Sequence, residues 1–194
     1  MNRAAIITLV AIGVAVAGVA IASRADLGSH ETTTVSTVAA GPQQAKLSWR
    51  ETYGQPGEQL VFTVSSLAVT ENGWRAHIGI ENDTRVAWKL SPGAVPDGSF
   101  GISLFRTGAA SELDQRNRAG TLPAVRAATS YDPPLEKILE PKTSWSGDIA
   151  ARGALVAGSW VRVVFGTLIA AGKPPPKFGD TIVWITDSAY QLRQ

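Results

Sequence analysis

An uncharged apolar run near the N-terminus constrains the fold more than any other feature of the sequence. Residues 4–23 contain no Asp, Glu, Lys or Arg and consist mainly of Ala, Val and Ile. As an α-helix, this run spans about 30 Å, the hydrocarbon thickness of a bilayer. Arg3 precedes the run, and Arg24 and Asp26 follow it. The pattern predicts a transmembrane anchor within residues 1–24, with a cytoplasmic N-terminus and the rest of the chain outside.

A cleaved signal peptide is the alternative interpretation of the same run. Signal peptides have an apolar region of about 7–15 residues followed by an A-x-A-like site, and Ala20-Ile21-Ala22 matches such a site. The run at residues 4–23 is longer than that, and its two glycines are tolerated in transmembrane helices. The length therefore favours a retained anchor, which predicts a single-pass protein of the cell membrane.

The segment after the apolar run predicts a flexible tether. Residues 25–44 are rich in Ser, Thr, Ala and Gly and show no apolar periodicity. One of the two histidines, His30, lies there beside Glu31, and two such residues are too few to hold a metal ion. The remaining residues, 45–194, are enough for one domain with one hydrophobic core.

Charge and cysteine content exclude several classes of function. The chain has 18 basic and 16 acidic residues, and because the basic ones are scattered we predict no nucleic-acid partner. The absence of cysteine excludes disulfides, thiolate metal sites, cysteine nucleophiles and lipidated cysteines. The sequence also contains no G-x-x-x-x-G-K-[ST] phosphate loop and no calcium loop. We therefore predict neither a cofactor nor a metal ion.

Short strands separated by turns make up the predicted domain. Residues 74–81 alternate between apolar and polar, which predicts a strand with one buried and one wet face. Asn72-Gly73 before it is a strong hairpin signal. In residues 60–70 the apolar phase switches at Ser65-Ser66, which predicts a bulge or a sheet-switching bend. About eight strands at this spacing predict an all-β sandwich. The others are placed at 86–90, 100–105, 142–150, 159–167 and 181–187, with Val161, Val163 and Phe165 as an inward row.

All six tryptophans fall in the β-prone runs that begin at Lys46. Because a strand Trp buries up to about 250 Å², we expect these side chains to anchor the core. The alternative is an aromatic platform for a sugar or peptide, which requires two or three exposed rings on one face. The tryptophans are residues 49, 74, 88, 145, 160 and 184.

The C-terminal half carries a family resemblance. Residues 139–147, LEPKTSWSG, are followed by a strand with the sequence VRVVFG at 161–166, and Asn82-Asp83-Thr84 ends an earlier strand. These features resemble the immunoglobulin-like domain of unknown function found in Gram-positive, notably actinobacterial, envelope proteins. The resemblance spans about residues 59–186. It implies an immunoglobulin-like β-sandwich outside the cell, anchored to the membrane, with no catalytic residues to carry over. Lipoprotein members have a lipobox cysteine that this chain lacks, so here the helix must be the anchor.

Signals for catalysis are weak. His77 is the only histidine in the predicted domain, with Glu81 as the nearest acid in its strand, and no G-x-S-x-G elbow accompanies it. Pairs of carboxylates occur in or near predicted loops, where solvated charge is the usual state. We therefore predict that the chain is not an enzyme. A cleft that gathers His77 with a serine and an acid would instead favour an envelope hydrolase.

The irregular segment 107–134 is the expected place for function, because binding residues concentrate on loops held by a rigid scaffold. Arginines suit contacts with anionic polymers and protein interfaces. We therefore predict a non-catalytic, membrane-anchored interaction or accessory domain of the cell envelope, with a protein or cell-wall polymer as partner. The alternatives are a structural subunit of a membrane assembly and an envelope hydrolase with an unrecognised site. The candidate interaction residues are Arg106, Arg116, Arg118 and Arg126.

Overall fold

The computed structural model describes residues 38–91 and 99–194, which form strands and one short helix. The predicted anchor at residues 4–23 and most of the predicted tether lie outside these ranges. Within them, no helix is long and apolar enough to cross a bilayer. The strands are β1 Gln43–Gln55, β2 Glu58–Thr70, β3 Gly73–Asn82, β4 Trp88–Ser91, β5 Gly101–Phe105, β6 Arg126–Ala127, β7 Ser130–Asp132, β8 Ile138–Leu139, β9 Thr143–Arg152, β10 Trp160–Ala170, β11 Thr181–Ile185 and β12 Tyr190–Gln191, with helix α1 at Ala110–Ala119.

Two antiparallel sheets enclose one core. The five-stranded sheet has the order β1-β2-β3-β9-β7. In the seven-stranded sheet β10 is central, with β5 and β4 on one edge and β11 and β12 on the other. Phe62 of the first sheet packs on Phe165 and Trp184 of the second, with ring centroids 4.9 and 5.0 Å apart. The all-β prediction is confirmed, and the layers are those of a β-sandwich.

Strand alternation places the core where the sequence predicted it. On β3, Trp74, Ala76, Ile78 and Ile80 are all buried, whereas the side chains between them, apart from Gly79, face solvent. The predicted inward row of β10 is also confirmed, since all three of its members belong to the same core cluster. Each buried side chain of Val, Ile or Phe size contributes about 1.5–3 kcal/mol relative to an exposed one. Periodicity of two is therefore sufficient to orient β3 and β10.

The predicted bulge in β2 lies at Ser65. Val64 pairs with Ile78 and Ser66 pairs with His77, so one extra residue sits between two consecutive positions of β3. The extra residue shifts the phase of alternation by one. As a result, both halves of this long strand direct their apolar side chains into the same core.

The six tryptophans serve the core, as predicted. Each lies in a strand, and no pair of exposed rings forms a platform in the described part of the chain. Trp49 and Trp160 are partly buried and pack against the core clusters. The other four are buried, namely Trp74, Trp88, Trp145 and Trp184.

Helix α1 is a feature that the sequence did not reveal. It lies in the segment predicted to be irregular and buries one side chain, Leu113, against Phe105, Val164 and Val183 on the outer face of the seven-stranded sheet. A helix with a single buried side chain has no apolar stripe to detect. Gly120 ends it in the left-handed conformation, with φ 64°.

The motif Asn82-Asp83-Thr84 forms a buried polar corner between the sheets. Asn82 Nδ2 donates to the carbonyl oxygens of Val86, Leu139 and Glu140 at 2.9, 3.1 and 3.0 Å. Asn82 Oδ1 accepts from the backbone N–H and the hydroxyl of Thr84 at 3.0 and 2.7 Å. These contacts give the motif a structural role, because they satisfy the buried carbonyl of Leu139 and two partly buried carbonyls beside it.

Candidate ligand-binding face of the five-stranded sheet

The outer face of the five-stranded sheet is polar and open. In β1, β2, β3 and β9 every second side chain points away from the core, and these side chains form the outer face. Charged groups of both signs cross it in rows set by strand register. They include Lys46 and Arg50 on β1, Arg75, His77 and Glu81 on β3, and Asp148 and Arg152 on β9.

One cluster on this face joins His77, Arg75 and Asp148. His77 pairs with Asp148 across β3 and β9, and its Nδ1 lies 2.7 Å from Asp148 Oδ1. Arg75 Nη1 donates to Asp148 Oδ2 at 3.4 Å. The three side chains are 46%, 66% and 32% exposed. Ion pairs this exposed contribute only about 0–1 kcal/mol to folding, so the cluster orders the surface more than it stabilises the fold.

The sequence placed the wrong acid beside His77. Residues four apart in one strand are separated by about 13 Å, so Glu81 lies far from His77. Glu81 instead forms an ion pair with Arg50 of β1 at 3.8 Å. Asp148 was not singled out, because it is 71 residues away in sequence and only the β3–β9 register brings it to His77.

A serine completes this row, but not in the geometry of a catalytic triad. Ser66 pairs with His77 from the side opposite Asp148, so the three residues cross adjacent strands. A triad requires the second imidazole nitrogen to reach the hydroxyl at about 2.6–3.2 Å. Within residues 38–91 and 99–194, His77 has Asp148 as its hydrogen-bond partner and none is formed with Ser66. The row also lies on an open sheet face and not in a cleft.

A depression of about 1010 Å³ lies at one end of the same face, beside the β2–β3 turn. We call it the hairpin groove. Its floor is low because Arg75 pairs with Ala68 on one side and Ala150 on the other, and alanines leave space around the longer side chain. The residues that line it are Gln44, Ala68, Thr70, Glu71, Asn72, Gly73, Trp74, Arg75, Ala150, Ala151, Arg152, Gly153 and Ala154.

Glycine holds the backbone of the groove in place. A Cβ on Gly73 would lie 2.6 Å from the carbonyl oxygen of Ala151, so only glycine allows this close approach of the hairpin to β9. Gly153 N–H donates to the Asn72 carbonyl at 2.9 Å and has a φ of 116°. The turn and the end of β9 are therefore tied together.

The groove carries a cation without a partner. In the part of the chain that the structure describes, the Arg152 guanidinium makes no hydrogen bond and no ion pair. Arg75 shares the Asp148 carboxylate with His77. Arg126 Nη1 donates to the Ala154 carbonyl at 3.1 Å and adds a third positive charge at the edge. Glu71 is the acidic residue of the lining.

The four arginines predicted as interaction residues lie in different places. Arg116 Nε donates to Glu112 Oε1 at 2.8 Å, and the backbone N–H of Arg106 donates to the same carboxylate at 3.3 Å. Arg118 Nε donates to the Asp114 carbonyl at 3.2 Å. The structure thus brings Arg106 and Arg116 together at Glu112, whereas Arg126 reaches the hairpin groove. Their contact with a partner stays a prediction.

Glu112 is the electrostatic centre of helix α1. Burial raises the pKa of Glu112, but hydrogen bonds from the side chains of Arg116 and Thr107 and from the backbone of Thr107 and Arg106 outweigh it, lowering the pKa to about 2. Its side chain is 13% exposed. The carboxylate binds the loop before the helix to the helix itself, so its role is structural.

Arg162 is a buried cation that ties helix α1 to the sheet. Nη1 donates to the carbonyls of Thr186, at 2.8 Å, and Asp187, while Nη2 donates to those of Gly108 and Ala109, both at 3.0 Å. Burial lowers the pKa of Arg162, and the nearby carboxylates of Asp187, Glu51 and Glu112 oppose this shift. Both terminal nitrogens of Arg162 therefore have hydrogen-bond acceptors, whereas its buried Nε has none among the described residues.

Comparison with known proteins provides no family for this chain. Searches of protein-family models, of curated proteins and of solved structures each found no significant match. Within the described ranges, no group of three or more His, Asp or Glu side chains is arranged to hold a metal ion. The functional argument therefore depends on the chemistry of the face itself.

Proposed function

We propose that this chain is a non-catalytic interaction or accessory domain of the bacterial cell envelope, held outside the cytoplasm by an N-terminal transmembrane anchor. The hairpin groove is the observation that supports this most directly. It is an open depression on packed strands with a floor of alanine and glycine, and Arg152 in its lining is free of partners among the described residues. Side chains fixed on strands are preorganised for binding, and an unpaired guanidinium favours an anionic group.

The surroundings of His77 support binding over catalysis. The imidazole contacts Asp148 through Nδ1, and with the His77 side chain 46% exposed in the described part of the chain, water reaches it. Catalysis of acyl transfer requires an activated nucleophile and donors for the developing oxyanion in a dry site. An open sheet face supplies neither.

The immunoglobulin-like classification belongs to the same proposal. Two packed antiparallel sheets support it. So do two features from the resemblance, the buried corner at Asn82 and the buried Trp145, whose Nε1 donates to the Pro134 carbonyl at 3.2 Å. Such a domain binds through its faces, edges and end loops.

The anchor is tested by intact mass. We expect the full-length protein, 20.4 kDa, in the membrane fraction after alkaline washing. A shorter product beginning near Ser23 and found in the medium would contradict the anchor and support a cleaved signal peptide.

The binding role is tested with the full-length protein in nanodiscs and isolated cell-envelope polymer. We expect sedimentation with the polymer to weaken several-fold for Arg152→Gln. Arg50→Gln is the matched control, because Arg50 lies on the same face near its other end and is 58% exposed. Equal binding by both variants and the parent would contradict a role for the groove. A stable membrane complex that does not respond to Arg152→Gln would support the structural-subunit alternative.

A further inference from the structure

The N-terminal segment joins the sandwich beside the hairpin groove. Ala39 pairs with Val156 in an isolated bridge, and Ala40 N–H donates to the Leu155 carbonyl at 2.7 Å. Leu155 and Val156 directly follow Gly153 and Ala154, which line the groove. The groove therefore lies at the end of the sandwich where the chain arrives from the predicted anchor. We call this the hairpin end, and the end with the β1–β2 turn the far end.

The predicted tether is short enough to keep the hairpin end near the membrane. Residues 25–37 separate the predicted anchor from the first described residue. A flexible segment of that length has a root-mean-square end-to-end distance of about 20 Å. Electrostatic attraction to a charged surface decays over about 8 Å at physiological ionic strength, so ordinary fluctuations of the tether bring the groove within range.

Cations without partners gather at the hairpin end. Arg152, Lys46 and Arg193 have no ion pair in the described ranges. Arg193 lies next to the start of β1, since its N–H donates to Gln43 Oε1 at 3.1 Å. With Arg75 and Arg126, the hairpin end has five basic side chains, and the acids near them are Glu71, the C-terminal carboxylate and Asp148, which is paired with Arg75. The hairpin end is therefore net positive.

Two cations at the far end of the same sheet are paired instead. Arg85 forms an ion pair with Glu58, and Lys142 Nζ lies 2.6 Å from Asp83 Oδ1. Lys137, Lys173 and Lys177, in the loops around it, form no ion pair within the described ranges, but their segments contain the same number of acids, namely Glu136, Glu140 and Asp180. Charge is therefore distributed unevenly along the strand axis, with the unbalanced part on the side of the predicted anchor.

We propose that the hairpin groove binds the phosphate groups of anionic lipids and docks the sandwich on the membrane that holds its own anchor. The inference depends on the proposed function, because it requires the anchor. Arg75 and Arg152 are diagonal neighbours across β3 and β9, so their side chains start about 7–8 Å apart. The Arg75 guanidinium contacts Asp148 on the opposite diagonal, and in the proposed complex it turns toward Arg152 so that both cations contact one headgroup.

The rest of the groove suits a hydroxylated phosphate headgroup. Gln44, Thr70 and Asn72 supply amide and hydroxyl donors and acceptors around the arginines. The alanine and glycine floor leaves room for the headgroup, and no large apolar side chain projects from it into a bilayer. Binding is therefore electrostatic, worth about one order of magnitude or less per arginine and weakened by salt.

The test places one spin label at a time on the full-length chain, which has no cysteine of its own. Ser130→Cys labels the outer face beside Ala150 at the edge of the groove, and Gln55→Cys labels the far end. The protein is placed in nanodiscs of phosphatidylcholine alone or of an equal mixture with phosphatidylglycerol. Relaxation of the label by a paramagnetic ion chelated to lipid headgroups reports its proximity to the membrane.

We expect the label at residue 130, but not that at residue 55, to approach the headgroups in the anionic nanodiscs. The double variant Arg75→Gln/Arg152→Gln should lower the docked-to-undocked ratio about tenfold. Arg50→Gln/Arg85→Gln changes the net charge equally and should preserve docking. Both pairs are exposed, and equal thermal midpoints verify that each variant is folded.

Equal proximity in neutral and anionic nanodiscs, or equal loss in the two double variants, overturns the inference. Docking that survives Arg75→Gln/Arg152→Gln while binding of cell-wall polymer is lost also overturns it and assigns the groove to the polymer. Before any label measurement, we test whether the chain remains in the nanodisc, and loss of the chain is recorded as a separate result. That result refutes the anchor, and hence the proposed function, separately from the lipid contact.

Discussion

At the scale of single residues, buried and half-buried polar side chains hold the parts of this sandwich that apolar packing does not. Glu51 accepts hydrogen bonds at 3.0 Å from Trp184 Nε1 and from the N–H groups of Asp187 and Ser188. Arg162 binds the other side of the same loop and the start of helix α1. These groups are costly to bury alone, so removing one partner costs more than the contact contributes.

Arg162→Ala should destabilise the fold by about 3–5 kcal/mol, because it leaves carbonyl groups of two loops without donors. Arg50→Ala, on the exposed face, should change the free energy of unfolding by less than about 0.5 kcal/mol. Urea unfolding of both variants in detergent measures the difference. A cost below about 1 kcal/mol for Arg162→Ala would mean that water replaces the guanidinium.

Asn82→Ala should cost about 2–4 kcal/mol, since three carbonyls lose a donor and Thr84 loses its acceptor. Asn82→Asp keeps the acceptor for Thr84 but loses the donors, so it should be at least as destabilising near neutral pH. Asn72→Ala in the exposed turn is the control. Thermal unfolding ranks the variants, and a silent Asn82→Ala would refute the structural role of the corner.

At the scale of elements, helix α1 depends on charge more than on apolar burial. Leu113 is its only buried residue, and Glu112 connects its first turn to Thr107 and Arg116. The pKa of Glu112 in the folded state is about 2, below its ordinary value of 4.5. Its contribution to stability is therefore complete above pH 4.5 and is lost as the pH falls toward 2.

Glu112→Gln should remove part of this pH dependence. After allowance for solvent screening of the pair, we expect the loss of stability between pH 7 and pH 3 to shrink by about 1–2 kcal/mol in the variant. Urea unfolding at the two pH values measures it. An unchanged difference would show that the carboxylate is not held by these hydrogen bonds.

The pKa of Asp187 is shifted in the opposite direction to that of Glu112. Burial, with Glu51 nearby, raises the pKa of Asp187 in the folded state. A carboxyl with a raised folded pKa stabilises the fold as the pH falls through that value. When the pH falls, Glu112 lowers the stability of the parent protein and Asp187 raises it, so the measured change is the net of the two effects. Comparison with Glu112→Gln isolates the contribution of Glu112.

At the scale of the whole molecule, the two sheets depend on aromatic contacts across the core. Phe62 stacks on Trp184 with an interplanar angle of 11° and also contacts Phe165. Phe62→Ala should cost about 3–5 kcal/mol, because it opens a cavity between the layers. Phe62→Leu retains most of the volume and should cost clearly less. Urea unfolding with Trp fluorescence measures both, and equal costs would contradict a packing role.

The hairpin groove is also a feature of the whole molecule, because several strands and the incoming N-terminal segment meet there. The hairpin groove combines the ends of β1, β2, β3 and β9, and the chain arrives beside it through Ala39. No single strand carries the groove, so its function is a property of the assembled sheet. The proposed membrane docking follows from this placement together with the unpaired cations there.

The sequence by itself determined the features that depend on local order. Alternation oriented β3 and β10, the phase switch predicted the bulge at Ser65, and Asn72-Gly73 marked the hairpin. The first two predictions succeed because a strand places successive side chains on opposite faces, whatever its neighbours are. The hairpin was located correctly, but its turn is formed by Glu71 and Asn72, and neither Asn72 nor Gly73 has the positive φ that an Asn-Gly turn favours. Strands β6, β7, β8 and β12 have two or three residues each and give no such pattern.

Only the tertiary structure decided which distant residues meet. Asp148 lies beside His77 through the β3–β9 register, and Arg152 borders the turn at Asn72 because β9 pairs with β3 rather than with another strand. Arg162 follows the inward–outward alternation of β10, yet its burial depends on helix α1 covering the outer face. Strand order and register arise from the packing of the whole core, and residues far apart in sequence carry no local record of that choice.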